Sequence, residues 1–422
     1  FKTVTGIGTQ YNFQPGTLQS STSFKRIATR FSCTDTSNTI SVDVKNNGLW
    51  MGANDAVWQV GSNWCGGLVP DTSTHVLVQQ GQQIMISNAY PNQSISVKTI
   101  TLDSSANIVV NGLLHWPQTL LGKGTIDATS GSINIEKDSL IINPYVFKNK
   151  LIYTLQIDAK NKVQFLDSLI IANSITLFNG SLQTKHLTLL PTAQINSSGN
   201  NTAIIGPATV HKSYHLKEGQ TKLLSFPFLN QPSLLDFKKS VRITGKGGSS
   251  SGFDSAVHEI ASAHFLDTTR DTNALLSFSP FSKMDSSFWE QNRAIKIWLY
   301  PNDAGFINET PFIETKKHNA WVDVSIHGIP QHGPLEINFA EQPLARYYLT
   351  GNPYPAAIDM RKISSSTNIG KYYWYWDAGL GATGNYTASA FRFPKIVQKL
   401  EGYIIKNNAG AAGYLFYEER TK

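Results

Sequence analysis

The chain has 422 residues, 41% of them hydrophobic and only 15% charged, with a net charge of +7 from 36 basic and 29 acidic side chains. That length can bury several cores, about two to four domains' worth, under a polar but weakly charged surface. The absence of any run of about 18 apolar residues argues against a helical membrane span. The basic residues are dispersed, the densest groups being Lys238, Lys239, Arg242 and Lys246, then Lys316 and Lys317, then Lys395 and Lys399, which argues against nucleic acid as a partner.

Aromatic residues are plentiful, with 9 Trp, 16 Tyr and 21 Phe, and favour β-structure. The chain opens at Phe1 as if inside a strand, without Met or a leader, and reads as a mature or trimmed piece of a longer protein. Segments Ser23 to Cys33 and Asn38 to Asn46 read as two strands around a polar turn at Thr34 to Ser37. Residues 1–47 thus form a partial immunoglobulin-like β module, too few strands to close a sandwich. Cys33 and Cys65 are the only cysteines. A disulfide between them would close a loop worth about 3 to 4 kcal/mol in the loop-entropy account; two free buried thiols are the other reading.

The texture changes over residues 48–207. Trp50, Trp58 and Trp64 sit in a Gly/Asn-rich stretch that reads as a cap. Then come short apolar runs (HVLVQ, QIMIS, VKTITLD, NIVVNG, SINIE, SLIIN, LQIDA, VQFLD, SLIIAN, SITLFNG, HLTLLP) parted by Asn, Gly, Ser and Asp, with almost no helical period. Many short strands with polar turns of irregular length predict a right-handed parallel β-solenoid in which each rung covers the next. A wide sandwich is the competing reading, and the scarcity of Asn-Gly hairpin turns favours the solenoid.

Residues 208–422 carry longer aromatic strands and predict an antiparallel β-sandwich region, with a further division near residue 345. Strong strand segments are AIKIWLYP, WVDVSIHG, PLEINFAE, KYYWYWDAG, EGYIIKN and AGYLFYEER, while Gly245 to Gly252 (GKGGSSSG) reads as an exposed loop and Ser282 to Gln291 as a short helix. The most idiosyncratic string is Tyr347 to Asp359, YYLTGNPYPAAID. Pro353 and Pro355 fix φ and withdraw two amide donors, so neither helix nor central strand continues through this corner. It reads as a scaffold element that enters the last sandwich unit. The fold class is therefore all-β, a parallel β-solenoid followed by antiparallel sandwich domains.

The order Trp50…Trp58…NWCGG, a strand-rich solenoid, then TVHKSY…LLSFPF, IWLYP, YYLTGNPYPAAID, YYWYWD, EGYIIKN and LFYEER resembles the C-terminal half of large secreted surface proteins of Bacteroidetes, which end in a sorting domain read by the type IX secretion system. This sequence departs from that pattern at its end and reads as one from which the sorting domain has been cleaved, removed or left out. The resemblance implies an extracellular place at the cell surface or outer membrane, with the type IX machinery as a partner during export. It says little of molecular activity. It also implies O-glycosylation at Asp-Ser/Thr-apolar strings, here Ser139, Ser168, Ser255 and Thr268.

Asp285, Glu290, Asp303, Glu309, Asp323 and Asp377 show no spacing that pairs two carboxylates for glycan hydrolysis. The string GGSSSG lacks the following helix of a serine-hydrolase elbow. His318, His327 and His332, with the pairs His211/His215 and His258/His264, lack the spacing of a zinc site. No catalytic residue, metal ligand or cofactor is assigned, although structural calcium around Asn302 and Asp303 is compatible with an extracellular β-protein. Tyr372, Trp374 and Trp376 share one face of a strand, a sugar-stacking platform or ordinary packing. The expectation is a non-enzymatic structural or adhesive surface protein, an elongated stalk or lattice element whose partners are itself and the cell surface. The alternative is a glycan-binding accessory region of a secreted polysaccharide-degrading protein, and a third reading is a cargo-type substrate caught with its export machinery.

Overall fold

A computed structural model describes residues 21–42, 47–52, 55–90, 93–197, 202–216, 219–231, 233–254, 259–268, 277–284, 292–300, 320–341, 344–381 and 384–417. The chain is nearly all β, 55% strand and 5% helix, with a parallel β-solenoid of about 6 turns followed by antiparallel sheets. It divides into two compact units, residues 1–107 with 117–124, and residues 108–116 with 125–422.

The first unit begins with two small hairpins. Thr22–Phe24 pairs antiparallel with Ile40–Val42, and Ile27–Arg30 with Cys33–Thr36. The predicted turn at Thr34 to Ser37 lies elsewhere: the chain reverses at Phe31 and Ser32, with Phe31 at φ +54°, so residues 34–36 join a strand. The three Trp residues are almost completely buried and meet edge to face, with ring centroids 4.9 Å apart for Trp50 and Trp64 and 4.7 Å for Trp58 and Trp64. The indole N–H of Trp64 donates to the Trp58 carbonyl at 2.7 Å, which settles the one polar atom its burial would otherwise strand. Leu49 and Val57 form parallel bridges to Leu77 and Met85, so the Trp segment lies along the strands His75–Val78 and Gln83–Ile86. Thr99–Leu102 then pairs in parallel with both His75–Val78 and Thr119–Gly122.

In the second unit the rungs are in register. Leu114, Ile133, Leu155, Ile175 and Ile195 stand in successive Cα partnerships, as do Ala128, Ile152, Ile171, Leu189 and Val210. All but Ile195, at 8%, are completely buried. Parallel strands about 4.8 Å apart place like side chains in contact, so each aliphatic residue covers the one beneath it. Polar pairs between rungs run the same way at the surface: Lys148 with Asp127, Lys150 with Asp167, Asn173 with Thr154 and Asn179 with Asp158. The parallel stack ends where Ala208–Leu216, parallel to Leu187–Leu189, takes Ala320–Gly328 as an antiparallel partner on its other side.

The remaining strands form antiparallel sheets. One contains Gln220–Ser225, Ala294–Leu299, Ala263–Leu266 and Phe278–Pro280; another contains Arg346–Gly351, Gly402–Asn407, Ile369–Asp377 and Asn385–Ala390. A third joins Leu335–Phe339, Gly413–Tyr417 and Ile363–Ser365. Between the last two sheets lies a core of Phe339, Tyr348, Tyr373, Tyr403, Leu415 and Tyr417 among others, which makes the arrangement sandwich-like. The one α-helix among the described residues, Leu234–Lys238, has no counterpart in the sequence pattern; its start is capped by Ser233 accepting from the Leu235 amide. GKGGSSSG is exposed only in part: Gly248–Ser251 is a 3₁₀ turn between left-handed Gly247 and Gly252, Gly248 is buried, and a side chain at Gly245 would strike Phe253.

Gly180 has φ +72°, and a Cβ there would sit 2.1 Å from the Ala159 carbonyl oxygen and 2.2 Å from that of Asn161, in the adjacent rung. Gly81 has a similar φ, +75°, with nothing within 4 Å. Gly180→Ala is therefore expected to cost about 3 kcal/mol or more and Gly81→Ala only about 1 kcal/mol, the conformational part alone. Urea unfolding of the two variants checks this, and equal losses would show that the rungs are not so closely stacked.

Candidate functional site

The Gly351 to Pro355 corner proves to be the junction between the rungs and the sheets of the second unit. Asn352 is wholly buried and holds the corner by its whole peptide and side chain. Its amide N–H donates to the Glu401 carbonyl at 2.9 Å, and its Nδ2 donates to the carbonyls of Ala356 and Val397 at 2.5 and 3.2 Å. Its Oδ1 accepts from the Tyr354 amide at 2.9 Å and its carbonyl from the Ser225 hydroxyl at 2.9 Å. Two prolines have removed donors here, and a single Asn supplies the missing geometry. Tyr354 donates its hydroxyl to the Gly333 carbonyl at 2.6 Å, and the Pro355 carbonyl accepts from the Ile195 amide at 3.4 Å, on the last rungs. Leu177, Ile195, Ile204, Gln331, Tyr354 and Pro355 line a small, mainly apolar cavity of about 30 Å³ between them.

Beside the corner lies a buried cluster of charge. Lys399 is 4% exposed, and its ammonium donates to the Leu190 carbonyl at 3.0 Å and to that of Ala193. These carbonyls belong to the turn between Leu187–Leu189 and Gln194–Ser197, in which the Leu190 carbonyl also accepts from the Ala193 amide at 2.8 Å. Leu400, with φ +61°, turns the chain so that Lys399 reaches inward while the Leu400 carbonyl accepts from the Ser225 amide at 3.2 Å. Lys212, on Ala208–Leu216, donates to Glu401 Oε1 at 2.7 Å and to the Lys399 carbonyl at 3.2 Å. Glu401 Oε2 in turn accepts from the Gln398 amide. Burial, reinforced by the Lys212 ammonium, pushes the Lys399 ammonium down to about 7. Burial also lowers Lys212, against the pull of Glu401. Buried charges of this kind contribute little net stability, but removing one partner is strongly destabilising.

The residues singled out in the sequence are placed as follows. Tyr372 is exposed, whereas Trp374 and Trp376 are half-buried and pack beside Leu223, Leu349 and Ile404. Trp374 meets Tyr347 edge-on at 5.4 Å, Trp376 meets Tyr386 at 5.0 Å, and the Lys296 ammonium lies 5.4 Å from the Trp376 ring. The shared face is thus largely occupied by packing, with Tyr372 left at its rim. Cys33 and Cys65 are both thiols; Cys33 is exposed rather than buried, and Cys65 half-buried. Ser139 is exposed in a turn at φ +53°. Ser168 is half-buried, with Asp167 beside it taken by Lys150 at 3.0 Å, and Thr268 is half-buried at the end of a strand. Burial lowers His264 to about 4, aided by Lys296. Ser255, His258, Asp285, Glu290, Asn302, Asp303, Glu309 and His318 lie outside the described residues. Among the described residues no three His, Cys, Asp or Glu side chains stand close enough to hold a metal ion.

Two outcomes are expected at the junction. Asn352→Ala should lower unfolding free energy by about 3 kcal/mol in urea, because two buried carbonyls and an amide lose their partner; a loss below about 1 kcal/mol would show that the corner is not fastened in this way. Lys399 titrates near 7 when folded and near its ordinary 10.5 when unfolded. Between these values the unfolded chain holds the extra proton, so this group makes stability rise with pH through that window. Calorimetry from pH 6 to 9 should show the rise weakened in Lys399→Met relative to the native chain. Comparison of the chain with models of known protein families, with curated proteins and with solved structures finds no match in any of the three.

Proposed function

We propose that this chain is a non-enzymatic structural or adhesive protein of the bacterial cell surface, exported by the type IX route. The observation that supports the structural part is the continuous aliphatic ladder from Leu114 to Ile195 together with its closure by Pro355 and Lys399. A stack of this kind spends its sequence on stiffness: each rung contacts its neighbours, and the terminal rung is covered by a domain of different architecture. The buried hub at Asn352 and the Lys212–Glu401 pair fasten that domain where a flexible linker would otherwise serve. The export route and surface location rest on the resemblance of the chain's strings, from the Trp-rich segment to the GNPYP corner, to those of secreted Bacteroidetes proteins.

A surface scaffold makes repeated weak contacts, so purified protein is expected to form sheets or filaments visible by negative-stain electron microscopy as its concentration rises. In cells, antibody should label the chain on intact bacteria, and disabling the type IX translocon should strand it in the periplasm. A chain that sediments as a monomer at every concentration, or that stays in the cytosol, would sink the reading.

A further inference from the structure

The antiparallel pair that ends the rungs has two unlike faces. On Ala320–Gly328, Val322, Val324 and Ile326 are buried, while Trp321, Asp323 and His327 are exposed and Ser325 is half-exposed. On Ala208–Leu216 the register sets Thr209 opposite His327, His211 opposite Ser325, Ser213 opposite Asp323 and His215 opposite Trp321. The outer face therefore carries one indole at one end and a double row of hydroxyls, imidazoles and a carboxylate leading away from it.

Trp321 is 62% exposed, and its ring centroid lies 4.9 Å from that of His215. Of the three Trp residues met so far at the edge of a parallel stack, none is exposed, since all serve to cover it. Trp321 covers nothing comparable, and it lies flanked by polar side chains rather than within an apolar patch of the kind that docks proteins. The polar groups beside it are held in place. The Ser213 hydroxyl donates to Asp323 Oδ1, and His186 Nε2 lies 2.8 Å from Thr209 Oγ1. Burial keeps both His186 and His211 below the ordinary imidazole range, His186 also through repulsion from His327 and His211 through Lys399 and His186, with Asp323 acting the other way on His211. Each of these two rings offers one donor and one acceptor at neutral pH. The outer face of the two strands carries no Lys or Arg, since Lys212 points to the other side and binds Glu401.

We infer that this face binds a neutral carbohydrate, with a sugar ring stacked by its C–H face on Trp321 and its hydroxyls bonded along Asp323, Ser213, Ser325 and His211. An aromatic plane beside mixed donors and acceptors matches the two-sided chemistry of a pyranose, apolar on its face and hydrogen-bonding around its rim. Polar groups alternate about 7 Å apart along each strand and about 5 Å across the pair, so several hydroxyls can be met at once. Phosphate polymers fit poorly, because the outer face offers no Lys or Arg and holds the Asp323 carboxylate. The binding face does not depend on self-assembly or on the export route, and the test below reads it separately from both.

The full chain is applied to an array of neutral and acidic oligosaccharides, and hits are titrated by calorimetry. Neutral glycans are expected to bind, Trp321→Ala to weaken them about tenfold or more, and Trp321→Phe to retain part of the affinity, with the unfolding midpoint unchanged because the indole is exposed. Asp323→Ala should weaken the same ligands, and Phe393→Ala, an exposed ring elsewhere, should leave them unaffected. Retention of full affinity by Trp321→Ala overturns the proposal. So does the absence of any neutral ligand, or binding confined to acidic glycans and abolished by salt, which would mark attraction to the net positive chain.

Discussion

Vertical register is the constraint on which the second unit depends. Once strands run parallel at the spacing of the backbone hydrogen bond, each side chain has one neighbour above and one below, and the pair must be of like character. The Leu114, Ile133, Leu155, Ile175, Ile195 series obeys this for the interior, and Asp127 with Lys148 or Asp158 with Asn179 obeys it for the exterior. Local irregularities are then tolerated so long as they return the chain in register, even left-handed residues within a strand such as Asn149 and Lys150 of Phe147–Phe165. Lys150 is stabilised there by Asp167 and by the Tyr145 ring 4.2 Å away.

A stack held this way has exposed backbone at its ends, the liability of every sheet edge. The first unit meets it with apolar mass: three interlocked indoles along the strands from His75 and Gln83. The second unit meets it by a change of direction, Ala320–Gly328 running antiparallel to the last rung strand, and by the corner whose Pro355 carbonyl and neighbouring Lys399 ammonium take up groups that another rung would have used. Polar fastening of this sort is specific in geometry because an ammonium must find its carbonyls or remain costly to bury.

How far the sequence revealed this depends on the distance over which each feature is encoded. The solenoid was legible because short apolar runs and polar turns repeat locally, and the sandwich strands because aromatic and β-branched residues alternate over five to nine positions. Trp50, Trp58 and Trp64 announced a cap by composition. Nothing near Lys399 announces its role, since its acceptors lie 209 and 206 residues earlier. The corner was legible as a rigid turn from its prolines, but what it turns against was not, because its partners Ser225 and Ile195 also lie far back along the chain, Ser225 by 127 residues. The reading of Tyr372, Trp374 and Trp376 as one face was sound geometry, yet strand alternation cannot tell whether a second sheet covers that face. Trp321 shows the converse: it sits in a string that looks like ordinary sandwich packing, and only its partner strand reveals that its side faces outward. GKGGSSSG misled because glycine signals both freedom and close approach, and Phe253 makes it the latter here.

The Lys399 fastening also sets an order of events during synthesis. A ribosome releasing this chain from its N-terminus exposes the rungs up to Ala193 long before Lys399 exists, so the ammonium joins, some two hundred residues later, a turn that the Ala193 amide has already closed on the Leu190 carbonyl. The rungs nearest the start can accumulate as they are made, each templated by the one before. The last turn gains its buried ammonium only when the far sheet has formed, so its final packing follows that of the rungs before it.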